Sequence, residues 1–267
     1  MNIFINNSSA KYIRSLHSSL CILLVLTVGW IHPASSEEAT IAVATNFYPL
    51  LEKLKPGYEE AKGYTLIISS GSTGHLYAQI KNGAPYDIFL AADSERPALL
   101  EKDGLGVAGT RFTYAVGSLA LLSSGVHRYM NGPESIREGD FLKLAIANPE
   151  LAPYGMAAQQ TLVRLGLWDK VKDKIVMGEN IGQTYSLVHT GNAELGFVSL
   201  SQVMLNNKTA IWKVPETYHE PISQQAILLT RAKDNPAARY FLEYLKSDVA
   251  AEIITSSGYT LDYSRGY

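Results

Sequence analysis

Cysteine is nearly absent from this chain: Cys21 is the one cysteine in 267 residues. It stands near the start of an apolar run, whereas a lipid-modified cysteine sits at the cleavage end. Once that run is removed, disulfides, thiolate catalysis and zinc–thiolate sites are excluded together. Long apolar stretches are also missing. The run Leu20 to Ile31 has 12 residues, and a membrane-crossing helix takes about 20. With Lys11 and Arg14 ahead of it and Ala34-Ser35-Ser36 behind it, residues 1–36 read as a secretory signal peptide cleaved before Glu37. Basic charge is not in excess either. The chain carries 23 Lys and Arg against 25 Asp and Glu, net −2; without residues 1–36 the count is 21 against 25, net −4. That balance argues against a nucleic-acid partner. Neither repeats nor low-complexity segments occur.

What is present is an ordinary globular composition, 46% apolar and 18% charged, with strands and helices in alternation. Ala39-Thr40-Ile41-Ala42-Val43-Ala44 is a continuous apolar run of the kind buried on both faces of a parallel sheet. It stops at Thr45-Asn46, and Leu50, Leu51, Leu54 and Tyr58 then follow at helical spacing, with Asn46 expected as N-cap. Thr65-Leu66-Ile67-Ile68 predicts a second strand. It breaks into Ser69-Ser70-Gly71-Ser72-Thr73-Gly74, and Leu76, Tyr77 and Ile80 resume the helical period. A third strand is predicted over Tyr86 to Ala92, ending at Asp93-Ser94. This βαβαβ order is that of an open, doubly wound α/β sheet.

The run Tyr114 to Leu122 reads as a strand that leaves this first domain, and Leu144-Ala145-Ile146-Ala147 opens a second α/β unit. Within it, Ala152-Pro153-Tyr154-Gly155 leads into a helix carrying Ala158, Leu162 and Leu165. Asn180-Ile181-Gly182 leads into another helix, and Leu195-Gly196-Phe197-Val198 is a strand ending at Ser199. Gln225 to Leu229 reads as a strand returning to the first domain. The expected division is residues 37–119 and 225–267 for domain I and 120–224 for domain II, with hinges near Ser118–Leu122 and Ser223–Ile227.

Four strand-to-helix turns share one chemistry: Thr45-Asn46, Ser72-Thr73-Gly74, Ala152-Pro153-Tyr154-Gly155 and Asn180-Ile181-Gly182. None has Lys, Arg or His next to the helix start, yet each offers hydroxyls, amides or unpaired main-chain N–H groups. Ligands of doubly wound sheets sit at the carboxyl ends of the strands, so two such domains facing each other aim all four turns into one cleft of uncharged donors. Asp87 and Asp93 are assigned to strand-end and capping roles, since no His or Cys cluster accompanies them as a metal site requires. His75 follows Thr73 on a helix, where adjacent side chains diverge, so the two do not form a nucleophile–base pair.

At these residues the chain resembles the periplasmic molybdate/tungstate-binding proteins of ABC importers, which belong to the type II periplasmic binding proteins. The likeness covers nearly all of residues 39–261. It is carried by Ala42 to Phe47, Ser69 to Ile80, Gly83 to Asp93 and Gly196-Phe197-Val198. The resemblance implies two α/β domains joined by two hinge strands, with a tetrahedral oxyanion, molybdate and/or tungstate, held between them by neutral hydrogen bonds. It further implies delivery to a membrane permease of an ABC importer, with no cofactor and no turnover. Carried over by position, the donors are Thr45, Asn46 and Thr73 from domain I, and the main-chain N–H groups of Tyr154 and Ile181 from domain II. Ser199 falls where some relatives carry a tyrosine hydroxyl, and its side chain is short for that reach. A monomer that closes on its ligand is expected. Sulfate, phosphate and enzymatic action on anionic esters are the alternatives. A donors-only site disfavours protonated phosphate, and size disfavours sulfate.

Overall fold

The computed structural model describes residues 37–125, 132–206 and 212–262. The segment 1–36, including Cys21 and the expected signal peptide, lies outside the described residues. In order the elements are β1 (Glu38–Ala44), α1 (Tyr48–Lys62), β2 (Thr65–Gly71), α2 (Thr73–Lys81), β3 (Ile88–Leu90), α3 (Glu95–Lys102), β4 (Phe112–Gly117), β5 (Leu119–Ser123), α4 (Pro133–Glu138), β6 (Leu144–Ala147), α5 (Pro153–Arg164) and α6 (Trp168–Val171). They continue with β7 (Ile175–Gly178), α7 (Ile181–His189), β8 (Leu195–Ser199), α8 (Leu200–Leu205), β9 (Trp212–Lys213), β10 (Ile222–Leu228), α9 (Pro236–Leu245) and α10 (Asp248–Ser256).

The strands form two five-stranded mixed sheets, ordered β2-β1-β3-β10-β4 and β7-β6-β8-β5-β9. The two-domain α/β architecture expected from the sequence is therefore the one observed. In the first sheet β1 runs parallel to β2 and β3, while β10 is antiparallel to both β3 and β4. The second repeats the plan: β6 is parallel to β7 and β8, and β5 is antiparallel to β8 and β9. Each sheet with its helices is called a lobe below. The chain crosses from the first to the second at Ser118, and it returns between Val214 and Ile222.

The central strands of each sheet are buried on both faces, which accounts for their unalternated apolar runs. On one face of the first, Ile41 and Val43 pack with Leu50, Leu54 and Tyr58 of α1 and Phe241 of α9. On the other, Ala42 and Phe89 meet Leu76, Ile80 and Leu100. In the second lobe Leu144, Ile146 and Phe197 pack on Ala158 and Leu162 of α5. Across that sheet Ala145 and Val198 face Val188 and Val203.

Two local expectations are corrected. Helix α1 starts at Tyr48 with Phe47 at its cap, because Asn46 has its side chain drawn away into the protein interior. Strand β3 spans Ile88–Leu90 and not Tyr86 to Ala92; Asp87 instead accepts from the Thr40 N–H at 2.8 Å and pairs with Arg231 at 2.7 Å.

Candidate functional site

All four turns meet at one small cavity between the lobes, with a volume of about 10 Å³. Thr45, Asn46, Ser72 and Thr73 line it from the first lobe, and Pro153, Tyr154, Asn180 and Ile181 from the second. At that volume it has room for about one water-sized body, which excludes a sugar, a nucleotide or a peptide. No charged side chain is among its lining residues.

Three helices of eight or more residues begin on its wall. Ser72 caps α2, Ala152 caps α5 and Asn180 caps α7, so Thr73, Tyr154 and Ile181 lie in first turns. N–H groups in a helix's first turn have no intrahelical acceptor, and the aligned peptides give that end a partial positive charge. Their convergence makes the cavity electropositive without a cation.

The side chains add donors. Thr45 spends its main-chain N–H on the Gly71 carbonyl at 3.0 Å, but its hydroxyl is buried with no hydrogen-bond partner. A buried hydroxyl left in this state costs about 1–3 kcal/mol, so the wall holds a donor that a guest could satisfy. Thr73 Oγ1 accepts from the Ala92 N–H at 3.1 Å. With that side occupied, its proton is what it can offer the cavity. Asn46 behaves differently: its amide nitrogen donates to Gln224 Oε1 at 2.8 Å and to the Tyr259 hydroxyl at 3.1 Å. Both amide hydrogens are used, which leaves its main-chain N–H for a ligand.

Tyr154 places its helix-start peptide on the wall while its phenol turns inward, accepting from Gln224 Nε2 at 3.2 Å. Burial pushes the ionisation of that phenol well above the ordinary tyrosine range. Ile181 is buried, and its carbonyl accepts from Gln202 Nε2 at 3.2 Å. Ser199 does not reach the cavity wall. Its hydroxyl accepts from the Gln202 N–H at 3.3 Å in a capping box that starts α8, and it lies 3.0 Å from the Ser201 hydroxyl. Five of the six residues singled out in the sequence thus line one cavity, and Ser199 stands behind it.

The lobes touch around this space. Gly74 N–H donates to the Leu151 carbonyl at 2.8 Å. Arg96, held by Asp93 at 2.5 Å, donates through Nη2 to the Glu150 carbonyl at 2.9 Å. Gly182 sits on the Thr45 methyl so closely that a Cβ there would lie 2.4 Å from it. These are contacts of a closed cleft. A wider groove of about 300 Å³ shares Ala92 and Pro153 with the cavity and carries Asp93, Glu95, Glu150 and Glu220 beside Arg96.

Gln224, Tyr259, Tyr114 and Ser201, which anchor the wall from behind, were not singled out in the sequence. One signal was available: Ser223-Gln224-Gln225 interrupts the apolar residues of strand β10, and adjacent buried amides call for partners. Among the described residues no group of three His, Cys, Asp or Glu side chains is placed to hold a metal ion, and no helix is long and apolar enough to cross a membrane.

Comparison with known proteins places this architecture. A family model described as bacterial extracellular solute-binding protein matches residues 39–260. The molybdate-binding protein ModA of Azotobacter vinelandii is 46% identical over 231 residues, covering 85% of this chain and 92% of that one. ModA of Rhodobacter capsulatus is 38% identical over 239 residues, covering 90% and 94%. Among solved structures, the periplasmic molybdate-binding protein of Azotobacter vinelandii superposes with a TM-score of 0.80 at 38% identity, over 84% of this chain and 99% of that one.

Proposed function

Because the chain belongs to the bacterial extracellular solute-binding protein family, we propose that it captures molybdate or tungstate between its lobes and hands it to the membrane permease of an ABC importer. It does so as a periplasmic monomer freed of residues 1–36, without turnover. The ligand-binding set is Thr45 and Thr73 through their hydroxyls, with Asn46, Tyr154 and Ile181 through main-chain N–H groups. Ser199 supports Ile181 through Gln202 and does not touch the ion. The lobes are taken to move as two domains about the crossings at Ser118 and before Ile222.

The observation that carries this reading is the orphaned Thr45 hydroxyl in a cavity walled by donors and helix N-termini. A fully ionised tetrahedral oxyanion has acceptors on every side and nothing to donate, which complements such a wall. Monohydrogen phosphate needs an acceptor, and no carboxylate lines the cavity. Sulfate is smaller, so a cleft closed around molybdate leaves its bonds stretched, and each buried donor left unpaired costs about 1–3 kcal/mol. Molybdate and tungstate match in charge and closely in size, so the same wall accepts both. Titration calorimetry with molybdate, tungstate, sulfate and phosphate tests the reading. Tight binding of the first two with sulfate at least a hundredfold weaker is expected. Equal affinity for sulfate, or a requirement for a bound cation, refutes it.

A further inference from the structure

We infer that Tyr259 is a positioning residue for anion capture, tying the Asn46 wall segment of the first lobe to closure of the second. The inference rests on the function proposed above and adds a residue that is absent from the cavity lining. Its phenol is buried and makes three hydrogen bonds. It donates to the Asn46 carbonyl at 3.0 Å, and it accepts from Asn46 Nδ2 at 3.1 Å and from Ser201 Oγ at 2.9 Å. That uses one proton and two lone pairs, the whole capacity of a phenol oxygen. Asn46 belongs to the first lobe and lines the cavity; Ser201 belongs to α8 of the second. The two are joined through one oxygen.

The setting makes this a coupling and not simply a buried bond. Thr260 pairs with Val116, N–H to carbonyl at 3.0 Å one way and 2.7 Å the other, so Tyr259 is strapped beside the Ser118 crossing. Its ring packs edge-on against Phe47, the residue following Asn46, with centroids 5.5 Å apart. The return crossing arrives at the same place. Gln224 of β10 accepts from Asn46 and from the Tyr114 hydroxyl at 3.1 Å, and donates to Tyr154 on the second lobe. At Gly117, ahead of the first crossing, a Cβ would lie 2.1 Å from the Tyr154 hydroxyl.

Separating the lobes therefore breaks the Ser201–Tyr259 bond, and with it the Gln224–Tyr154 bond. The bonds to Asn46 lie within the first lobe and survive, but they lose the partner that holds Tyr259 in place. The polarised phenol thus orients the Asn46 segment best when the second lobe is docked, so closure and wall geometry reinforce each other. Such a residue governs how long a captured ion stays and has little part in how fast it arrives.

The test measures release of radiolabelled molybdate into excess unlabelled anion, together with the association rate, for wild type, Tyr259→Phe and Ser201→Ala. Tyr259→Phe removes all three bonds of the phenol, of which the one to Ser201 crosses between the lobes, and losing that crossing bond is expected to raise the dissociation rate about tenfold. Ser201→Ala should raise it severalfold, with association within about twofold of wild type and the double variant no worse than Tyr259→Phe. A purely structural role would lower thermal stability without this split between rates or this non-additivity. If Tyr259→Phe does not fold, Ser201→Ala alone decides: an unchanged dissociation rate overturns the inference. Failure of wild type to bind molybdate overturns the proposed function and this inference with it. Binding in wild type with unaltered release in the variants overturns the inference alone.

Discussion

Replacing Thr45 by valine should lower two measurements at once. Valine keeps the shape of threonine and its methyl against Gly182, and it deletes the hydroxyl that is buried without a partner. A hydrogen bond from that hydroxyl to a dianion is charge-assisted and contributes about 1.5–3 kcal/mol. At 1.4 kcal/mol per decade its loss weakens molybdate binding roughly ten- to 150-fold. In the closed but empty cleft the same hydroxyl is a liability of about 1–3 kcal/mol, which the open cleft relieves by hydration. Thr45→Val should therefore populate the closed form more when unliganded. Titration calorimetry reads the first effect, and the radius of gyration from X-ray scattering with and without molybdate reads the second. The expected outcome is a weaker affinity together with a smaller contraction on saturation. Thr45→Ser, which keeps the hydroxyl, should bind within a few-fold of wild type. Wild-type affinity in Thr45→Val would show that the orphaned hydroxyl does not face the ion.

Thr73→Ala should weaken molybdate binding by about 1.5–3 kcal/mol and also lower the thermal midpoint, because the Ala92 N–H loses its acceptor; Ser199→Ala should affect stability through its cap and leave affinity nearly unchanged, and calorimetry on both decides. Gly182→Ala puts a Cβ 2.4 Å from the Thr45 methyl only when the cleft is closed, so scattering should find a variant that is well folded yet does not contract with molybdate, and normal contraction would refute the closed-cleft geometry. Affinity should be flat from about pH 6 to pH 9, since the cavity lining holds no carboxylate, imidazole or amine and burial keeps the Tyr154 phenol protonated; a sigmoid in that window would reveal a titrating ligand group. Burial raises the Tyr259 pKa from 10.0 to about 12. A raised folded-state value contributes stability that is intact below the unfolded pKa and lost as pH climbs through the folded one. Thermal midpoints should hold up to pH 10.0 and fall between there and about pH 12, and a level profile across that range would contradict the buried environment.

Much of this fold could be read from local pattern. The unalternated strands around Ile41 and Ile146 announce sheets covered on both faces, and the small polar turns announce helix starts at strand ends. The wall residues Thr45, Thr73, Tyr154 and Ile181 sit in those turns; the pattern picks out the turns, and the resemblance to the molybdate-binding family picks out the residues within them. What stayed hidden has long-range partners. Asn46 looks like a cap because Asn before a helical period usually is one, but its amide is satisfied by Gln224 and Tyr259, 178 and 213 residues further on. Neither lies in a motif. Ser199 ends a strand as a ligand donor could, yet the Gln three residues later is the mark of a capping box, and that local bond prevailed. Lobe-to-lobe contacts such as Gly74 with Leu151 depend on how two sheets face each other, which periodicity does not encode.

The position of β10 between β3 and β4 has a consequence for biosynthesis. The second sheet is built wholly from residues 119–213, so all its strands are present in the nascent chain before β10 exists. The first sheet waits. Until Ile222–Leu228 arrives, β3 has an unpaired edge and β4 has no neighbour on that side, and such an edge invites mispairing. The lobe begun first is thus the last to finish, and it does so by inserting a strand around a neighbour already folded, a non-local step of the slow kind. A chain emerging from its N-terminus presents Thr45 and Thr73 early but Gln224 and Tyr259 near the end. Any anion met during emergence finds loose donors without a cavity, and capture starts only once the final segments have docked.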